Sequence, residues 1–127
     1  MEPSNYGTYG EDIRDRSFRF ACRIVELCKH LLRHGGVACI LAPQLLRCGT
    51  SVGANLEEAR GGESRRDFLS KCRISLKEAR ESTYRLRILV ATKVGPADET
   101  AALIDEAGEI AAILGAIVRN TRRNASL

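Results

Sequence analysis

Apolar residues recur at intervals of three and four along four stretches of this chain, and this spacing predicts four amphipathic helices. The predicted helices cover residues 12–33, 38–60, 64–93 and 98–123. Helix-breaking pairs separate them at Gly35-Gly36, Gly61-Gly62 and Gly95-Pro96. Because connections this short force successive helices to run antiparallel, the pattern predicts an all-α fold with up-down-up-down four-helix bundle topology.

The second and third predicted helices carry local signals of their own. Pro43, Gly49 and Gly53 weaken the second helix and predict a bend, although Pro43 can also lie in a first turn, with the regular helix beginning later. In the third helix Ser64 is a plausible N-cap, with Asp67 in the capping-box position. The pattern therefore leaves two starts open for the second helix, at about residue 38 or, with Pro43 in the first turn, a little later.

Length and composition indicate one ordinary domain. The 127 residues are 44% hydrophobic and 28% charged, with 5% aromatics and no Trp, which suits aliphatic helix packing. We expect the bundle domain at residues 12–123, a disordered N-terminal segment at 1–11 and a frayed tail at 124–127. No apolar run approaches the roughly 20 residues that cross a bilayer, and the N-terminus lacks a secretory pattern. We therefore predict a cytoplasmic protein without a membrane partner.

Cysteine and histidine usage predicts neither a metal site nor a cofactor. The five cysteines form no CxxC pair, and an odd count favours reduced thiols. Two of them, Cys28 and Cys72, fall in apolar stripes, where a free thiol behaves as a small hydrophobe. His30 and His34 have a spacing that can hold a metal, but no third ligand is placed. Next to Lys29 they are better explained as complementing the negative end of the first helix.

A set of polar residues interrupts the apolar faces of the second and third helices. Offsets of four and three place Ser51, Asn55 and Glu58 on one face of the second helix. On the third helix Ser75 and Glu78 repeat the offset of three. Since buried polar groups need partners, we predict that hydrogen bonds within this polar set tie the two helices together.

A catalytic role for the polar set is the alternative. Glu58 and Glu78 would then form an acid/base pair, but such a pair needs a cleft and a substrate site, and the sequence indicates neither. Phosphate-loop and HExxH motifs are absent from the sequence. We predict a structural polar set in a protein that is not an enzyme.

The polar set also carries a resemblance. Its spacing is similar to the SxxxNxxE and SxxE pattern of the bacterial four-helix-bundle proteins encoded by intervening sequences in large-subunit ribosomal RNA genes. The matching residues are Gln44, Leu45, Ser51, Asn55, Glu58, Phe68, Ser75, Leu76 and Glu78. The chain departs from that family at Gly53, where many relatives have proline, at Ala59, where glycine is usual, and at Ile74, where a small residue is common.

The resemblance implies an assembly and a partner. Proteins of this kind resemble rings of five bundles, and their relatives include the accessory variability determinant of diversity-generating retroelements, which acts with a reverse transcriptase and RNA. Ile74, Ile88 and Ile113 lie off the main apolar stripes and independently favour association of bundles. We predict a homo-oligomer, with a pentamer as the state that the resemblance implies.

Charge provides the functional clue. The formal net charge is only +4, yet residues 60–87 contain nine basic and four acidic residues. Six residues of the third helix share one face at offsets that keep them within a narrow arc. This basic stripe comprises Arg66, Arg73, Lys77, Arg80, Tyr84 and Arg87. A row of cations with one aromatic can follow a phosphate backbone and stack on a base, so we predict contact with RNA or DNA. The alternative is a solvated face that meets an acidic protein surface.

Overall fold

Four helices make up most of residues 7–61 and 64–125, which are the residues described by the computed structural model. They are α1 (Gly7–His34), α2 (Gly36–Arg60), α3 (Arg65–Ala91) and α4 (Ala97–Ala125). Each helix packs on its neighbours in the chain, α1 closes the cycle by packing on α4, and the described residues form no diagonal pair and no strand. The predicted all-α four-helix bundle is confirmed, and this cyclic order is that of an up-down-up-down arrangement.

The outer ends of α1 and α4 extend beyond the apolar pattern. α1 begins at Gly7, so residues 7–11 of the segment expected to be disordered are helical. α4 continues to Ala125, two residues into the predicted tail. Residues 1–6 and 126–127 lie outside the described residues. Helix ends can continue past the last buried side chain because the backbone hydrogen bonds do not require an apolar face.

A single residue, Gly35, connects α1 to α2. Gly35 and Gly36 have φ values of 71° and 60°, a left-handed conformation that costs glycine no steric penalty. This turn lets α2 begin at Gly36, two residues earlier than the apolar spacing indicates. Pro43 consequently lies inside α2 rather than in its first turn, with its ring exposed at the surface.

The buried positions of α3 follow a seven-residue repeat. Cys72, Ala79 and Leu86 alternate with Ser75, Ser82 and Leu89 at offsets of three and four, and all six are buried. A strict repeat of seven keeps the same side of a helix facing its neighbours along its whole length. Other positions spaced by seven on α3 therefore also form straight rows.

Two glycines of α2 lie where α1 approaches closely. A Cβ atom added to Gly49 would lie 2.8 Å from Cγ2 of Ile24, and one added to Gly53 would lie 3.5 Å from Ser17. Ile24 and Ser17 are fully buried. The two glycines lower the helix propensity of α2, as the sequence indicates, but they allow α1 and α2 to pack at short distance.

Two of the three isoleucines expected at the surface are largely covered. Ile74 is exposed, whereas Ile88 and Ile113 are half-buried, and Ile113 packs against the core. The expectation of exposed apolar surface at Ile113 is therefore wrong. The aliphatic side chains with the highest exposed fractions are instead near the start of α2, where Val37 is 62% and Ile40 is 74% exposed.

Among the described helices, α2 is long and apolar enough to cross a bilayer by length and composition alone. That corrects the expectation that no apolar segment reaches this length. Its buried side chains, including Leu45, Val52 and Leu56, belong to the bundle core, while Arg47 and Glu58 pair with α3. The core helix of a bundle can meet the same criterion.

Three of the five cysteine side chains are inside the bundle. Cys28, Cys48 and Cys72 are buried, which confirms the expectation for Cys28 and Cys72, and Cys22 and Cys39 are exposed. Burial raises the pKa of the Cys28 and Cys72 thiols to about 11 and also raises the pKa of Cys48. Buried thiols that remain protonated react slowly with alkylating agents.

Native alkylation is expected to stop at two thiols. At about pH 8, iodoacetamide should modify Cys22 and Cys39 in the folded protein, because only exposed thiols supply accessible thiolate. Intact-mass spectrometry should then show two adducts, and all five after unfolding in guanidinium chloride. A native protein that rapidly accepts a third adduct would contradict this burial pattern.

Candidate nucleic-acid interface

Charged side chains on one flank of α3 pair with side chains of α2. The ammonium of Lys71 donates a hydrogen bond to Glu58 of α2 at 2.6 Å, and Glu78 accepts one from the same helix at 3.2 Å. Arg73 and Arg80 follow Lys71 and Glu78 by two residues, which corresponds to about 200° around the helix. The arginines therefore lie on the opposite flank, beside α4.

Arginine recurs at every seventh residue along that flank. The row consists of Arg66, Arg73, Arg80 and Arg87, all of them exposed. Because the buried positions of α3 repeat with the same period, the row is straight, with Cα atoms about 10.5 Å apart along the axis. Lys77 and Tyr84 are also exposed and lie further out from the core, and Tyr84 is 61% exposed. All six residues of the basic stripe thus lie on one outer surface.

The cations of the basic stripe form no ion pair within the part of the chain that the structure describes. Cations outside the stripe pair with Glu78 and Glu81, two acids of α3. Arg85 donates to Glu81 at 2.7 Å, and Arg47 of α2 donates to Glu81 as well, so these hydrogen bonds lower the pKa of that carboxyl group. No ion pair among the described residues therefore neutralises the positive field of the stripe.

The face of α4 beside α3 has a glycine in place of a side chain at one position and adds one cation to the surface. Glu106 pairs with Arg16 of α1, so Gly108, two residues later, lies on the opposite flank, beside α3. Gly108 is exposed, and a Cβ atom there would have no other atom within 4 Å. The guanidinium of Arg119 extends back to 3.4 Å from the Cβ position of Gly115. The sequence pattern of α3 did not identify Arg119 as part of this surface, because Arg119 is on α4. The signal in the sequence is Gly115, which precedes Arg119 by four residues and leaves room for its side chain.

An open recess extends the positive surface at the end of α4. Its volume is about 360 Å³, and it is lined by Arg119, Asn120, Arg122 and Arg123. Arg123 donates a weak hydrogen bond to Asn120 at 3.4 Å. None of these lining residues is an acid or a nucleophile, so the recess can attract anions but offers no acid/base pair.

The family model of the 23S rRNA-intervening sequence protein matches residues 11–116. The chain belongs to this family. A solved structure of a protein of unknown function, from the S23 ribosomal protein family of Bacteroides thetaiotaomicron VPI-5482, is 36% identical to it. The match covers 87% of this chain and 98% of that chain, with a TM-score of 0.80. No curated protein matches the chain. The resemblance to the intervening-sequence family is confirmed.

One member of the polar set makes a buried hydrogen bond between helices. The hydroxyl of Ser75 donates to the carbonyl oxygen of Val52 on α2 at 2.7 Å. Asn55 instead donates to the carbonyl of Ser51 within α2 at 2.8 Å. The expectation that Asn55 links the two helices is therefore wrong.

The two glutamates of the polar set pair with cations at the surface. Glu58 is exposed and accepts from Lys71, while Glu78 is half-buried and accepts from Arg47. The expected inward orientation is wrong for Glu58, because a surface lysine satisfies it without burial. With separate cationic partners, the two carboxylates do not resemble a shared acid/base site.

These contacts predict different costs for substitutions in the polar set. Ser75→Ala should lower the free energy of unfolding by about 0.5–1.5 kcal/mol, because it removes a buried hydrogen bond. Asn55→Ala should change it by less than about 0.5 kcal/mol, because alanine favours the helix and only a local bond is lost. Urea unfolding of both variants measures the difference, and a larger loss for Asn55→Ala would contradict the assignment.

The histidines lie at the end of α1 as the sequence indicates. Nδ1 of His34 is 3.0 Å from the carbonyl oxygen of His30, and the two rings are in contact. Across residues 7–61 and 64–125, no group of three or more His, Cys, Asp or Glu side chains is arranged to hold a metal.

Proposed function

We propose that this intervening-sequence family protein is a non-enzymatic nucleic-acid-binding protein whose basic stripe contacts the phosphate backbone. The observation that carries the proposal is the stripe itself: five exposed cations on one flank of α3, none paired with a described acid. Each cation that neutralises a phosphate releases a condensed counterion, so such a row gives a favourable, salt-dependent binding free energy.

The partner class follows from the charge and from the resemblance. A formal net charge of +4 and a pI of about 9.0 favour association with polyanions. The sequence resemblance, whose relatives include the accessory protein of diversity-generating retroelements, is the reason to propose a role beside a nucleic-acid enzyme such as a reverse transcriptase. The protein would then hold nucleic acid in the cytoplasm without a cofactor of its own.

The test of this proposal is a titration of the parent protein with random-sequence RNA and DNA at several salt concentrations. Binding through the stripe should give a linear fall of log affinity with log salt. A protein that binds neither nucleic acid at low salt would disprove the proposal. It would favour the second candidate, a protein-interaction module, which is supported by the exposed Val37 and Ile40 side chains.

We also propose that the bundle assembles into a homo-oligomeric ring, with five subunits as the number that the resemblance supplies. Phe18, Val37 and Ile40 are each more than half exposed, and apolar surface of this kind is commonly covered by another subunit. Light scattering coupled to size exclusion should give a mass of about five times 13.9 kDa. A stable monomer at micromolar concentration and moderate salt would contradict the ring.

A further inference from the structure

The arginine row of α3 and the glycine positions of α4 border the same seam. The row lies on the flank of α3 turned away from α2, and Gly108 lies on the flank of α4 turned away from α1. α3 and α4 pack against each other along their length, so these two flanks meet. Gly108 has no side chain and leaves open space above the α4 backbone. The seam therefore has no side chain filling it at Gly108 and forms a shallow trough there.

Cations stand on both edges of this trough. Arg66, Arg73, Arg80 and Arg87 line the α3 edge, and the guanidinium of Arg119 lies over Gly115 on the α4 edge. Asp98 and Asp105, exposed acids seven residues apart on one face of α4, lie ten and three residues before Gly108 and take part in no ion pair among the described residues. The cations outnumber these two acids, so a polyanion lying in the trough is attracted from both sides.

We infer that the trough between α3 and α4 takes a single-stranded polynucleotide, an inference that rests on the proposed function. A straight row of cations about 32 Å long can follow one extended strand, whereas each backbone of a duplex curves away from a straight line. Tyr84, exposed beside the row, can stack on a base only when that base is unstacked. A duplex keeps the faces of its bases inside the helix and would leave Tyr84 without a partner.

The first measurement compares the affinity of the protein for single-stranded and for duplex nucleic acid with the same number of phosphates. Fluorescence anisotropy is recorded with labelled oligouridylate and oligothymidylate of about 20 nucleotides, and with hairpin duplexes of the same phosphate count. The two single strands should bind at least about fivefold more tightly than the duplexes, which is the contribution expected from one stacked base. The two single-stranded probes also compare RNA with DNA.

The second measurement fills the trough without changing its charge. Gly108→Leu adds a bulky side chain over the open seam, while leucine favours the helix more than glycine does, so thermal stability should be equal or higher. Ala102→Leu is the matched control, because Ala102 is exposed and lies between Glu99 and Glu106 on the flank of α4 that faces α1. Single-strand affinity should fall by about fivefold or more in Gly108→Leu and match the parent in Ala102→Leu.

The outcomes separate this inference from the proposed function. Equal binding of duplex and single strand, or unchanged single-strand affinity in a folded Gly108→Leu protein, overturns the trough while stripe binding to nucleic acid stands. Absence of binding to any of the single-stranded and duplex probes by the parent protein overturns the proposed function, and the trough with it.

Discussion

Replacing Arg73, Lys77 and Arg80 by glutamine is expected to weaken nucleic-acid binding more than the loss of three surface cations outside the basic stripe. If each cation meets one phosphate, the slope of log affinity against log salt should shrink by up to about three units. Exposed side chains without ion pairs contribute little to stability, so the variant should melt like the parent. Salt titrations of the variant and the parent measure the change.

A control variant separates local contact from loss of net charge. Arg19, Arg33 and Lys93 are exposed cations outside the basic stripe, and replacing them by glutamine removes the same total charge. This control should keep most of the affinity and most of the slope. Equal losses in the two triple variants would show that the overall charge binds nucleic acid, and an unchanged slope in the first would exclude the stripe.

Gly49→Ala is expected to be the most destabilising single-methyl addition in α2. Helix propensity alone favours alanine by about 1 kcal/mol. The added Cβ atom, however, would lie 2.8 Å and 2.9 Å from the two γ-carbons of Ile24, a fully buried and stiff β-branched side chain. Relieving such overpacking costs about 1–3 kcal/mol, which offsets or exceeds the gain in helix propensity, so the free energy of unfolding should fall by up to about 2 kcal/mol.

Gly108→Ala is the matched control for this prediction. Both glycines lie inside helices, but the Cβ position at Gly108 has no neighbour within 4 Å. The substitution should therefore stabilise the protein by about 0.5–1 kcal/mol through helix propensity. Urea unfolding of the two variants should give changes of opposite sign, and stabilisation by Gly49→Ala would mean that α1 and α2 are further apart.

The polar set shows how a sequence pattern can be correct in position and wrong in partner. The spacing of Ser51, Asn55 and Glu58 correctly places them together on α2. Which of them is buried depends on the distance and rotation of α3, and only Ser75 of the facing group donates into the interface. Glu58 lies at the surface, outside the interface between α2 and α3, where it pairs with Lys71 of α3.

Local periodicity determines the four helices, their core faces and the basic stripe, because offsets of three, four and seven define a face on any regular helix. The family resemblance also depends on residues that are visible in the sequence. The tertiary structure decides which helices are neighbours, and therefore that Gly49 faces Ile24 and that Gly108 borders the arginine row. These contacts join residues far apart in the chain, and their geometry depends on how closely two helices approach, which the spacing within one helix does not encode.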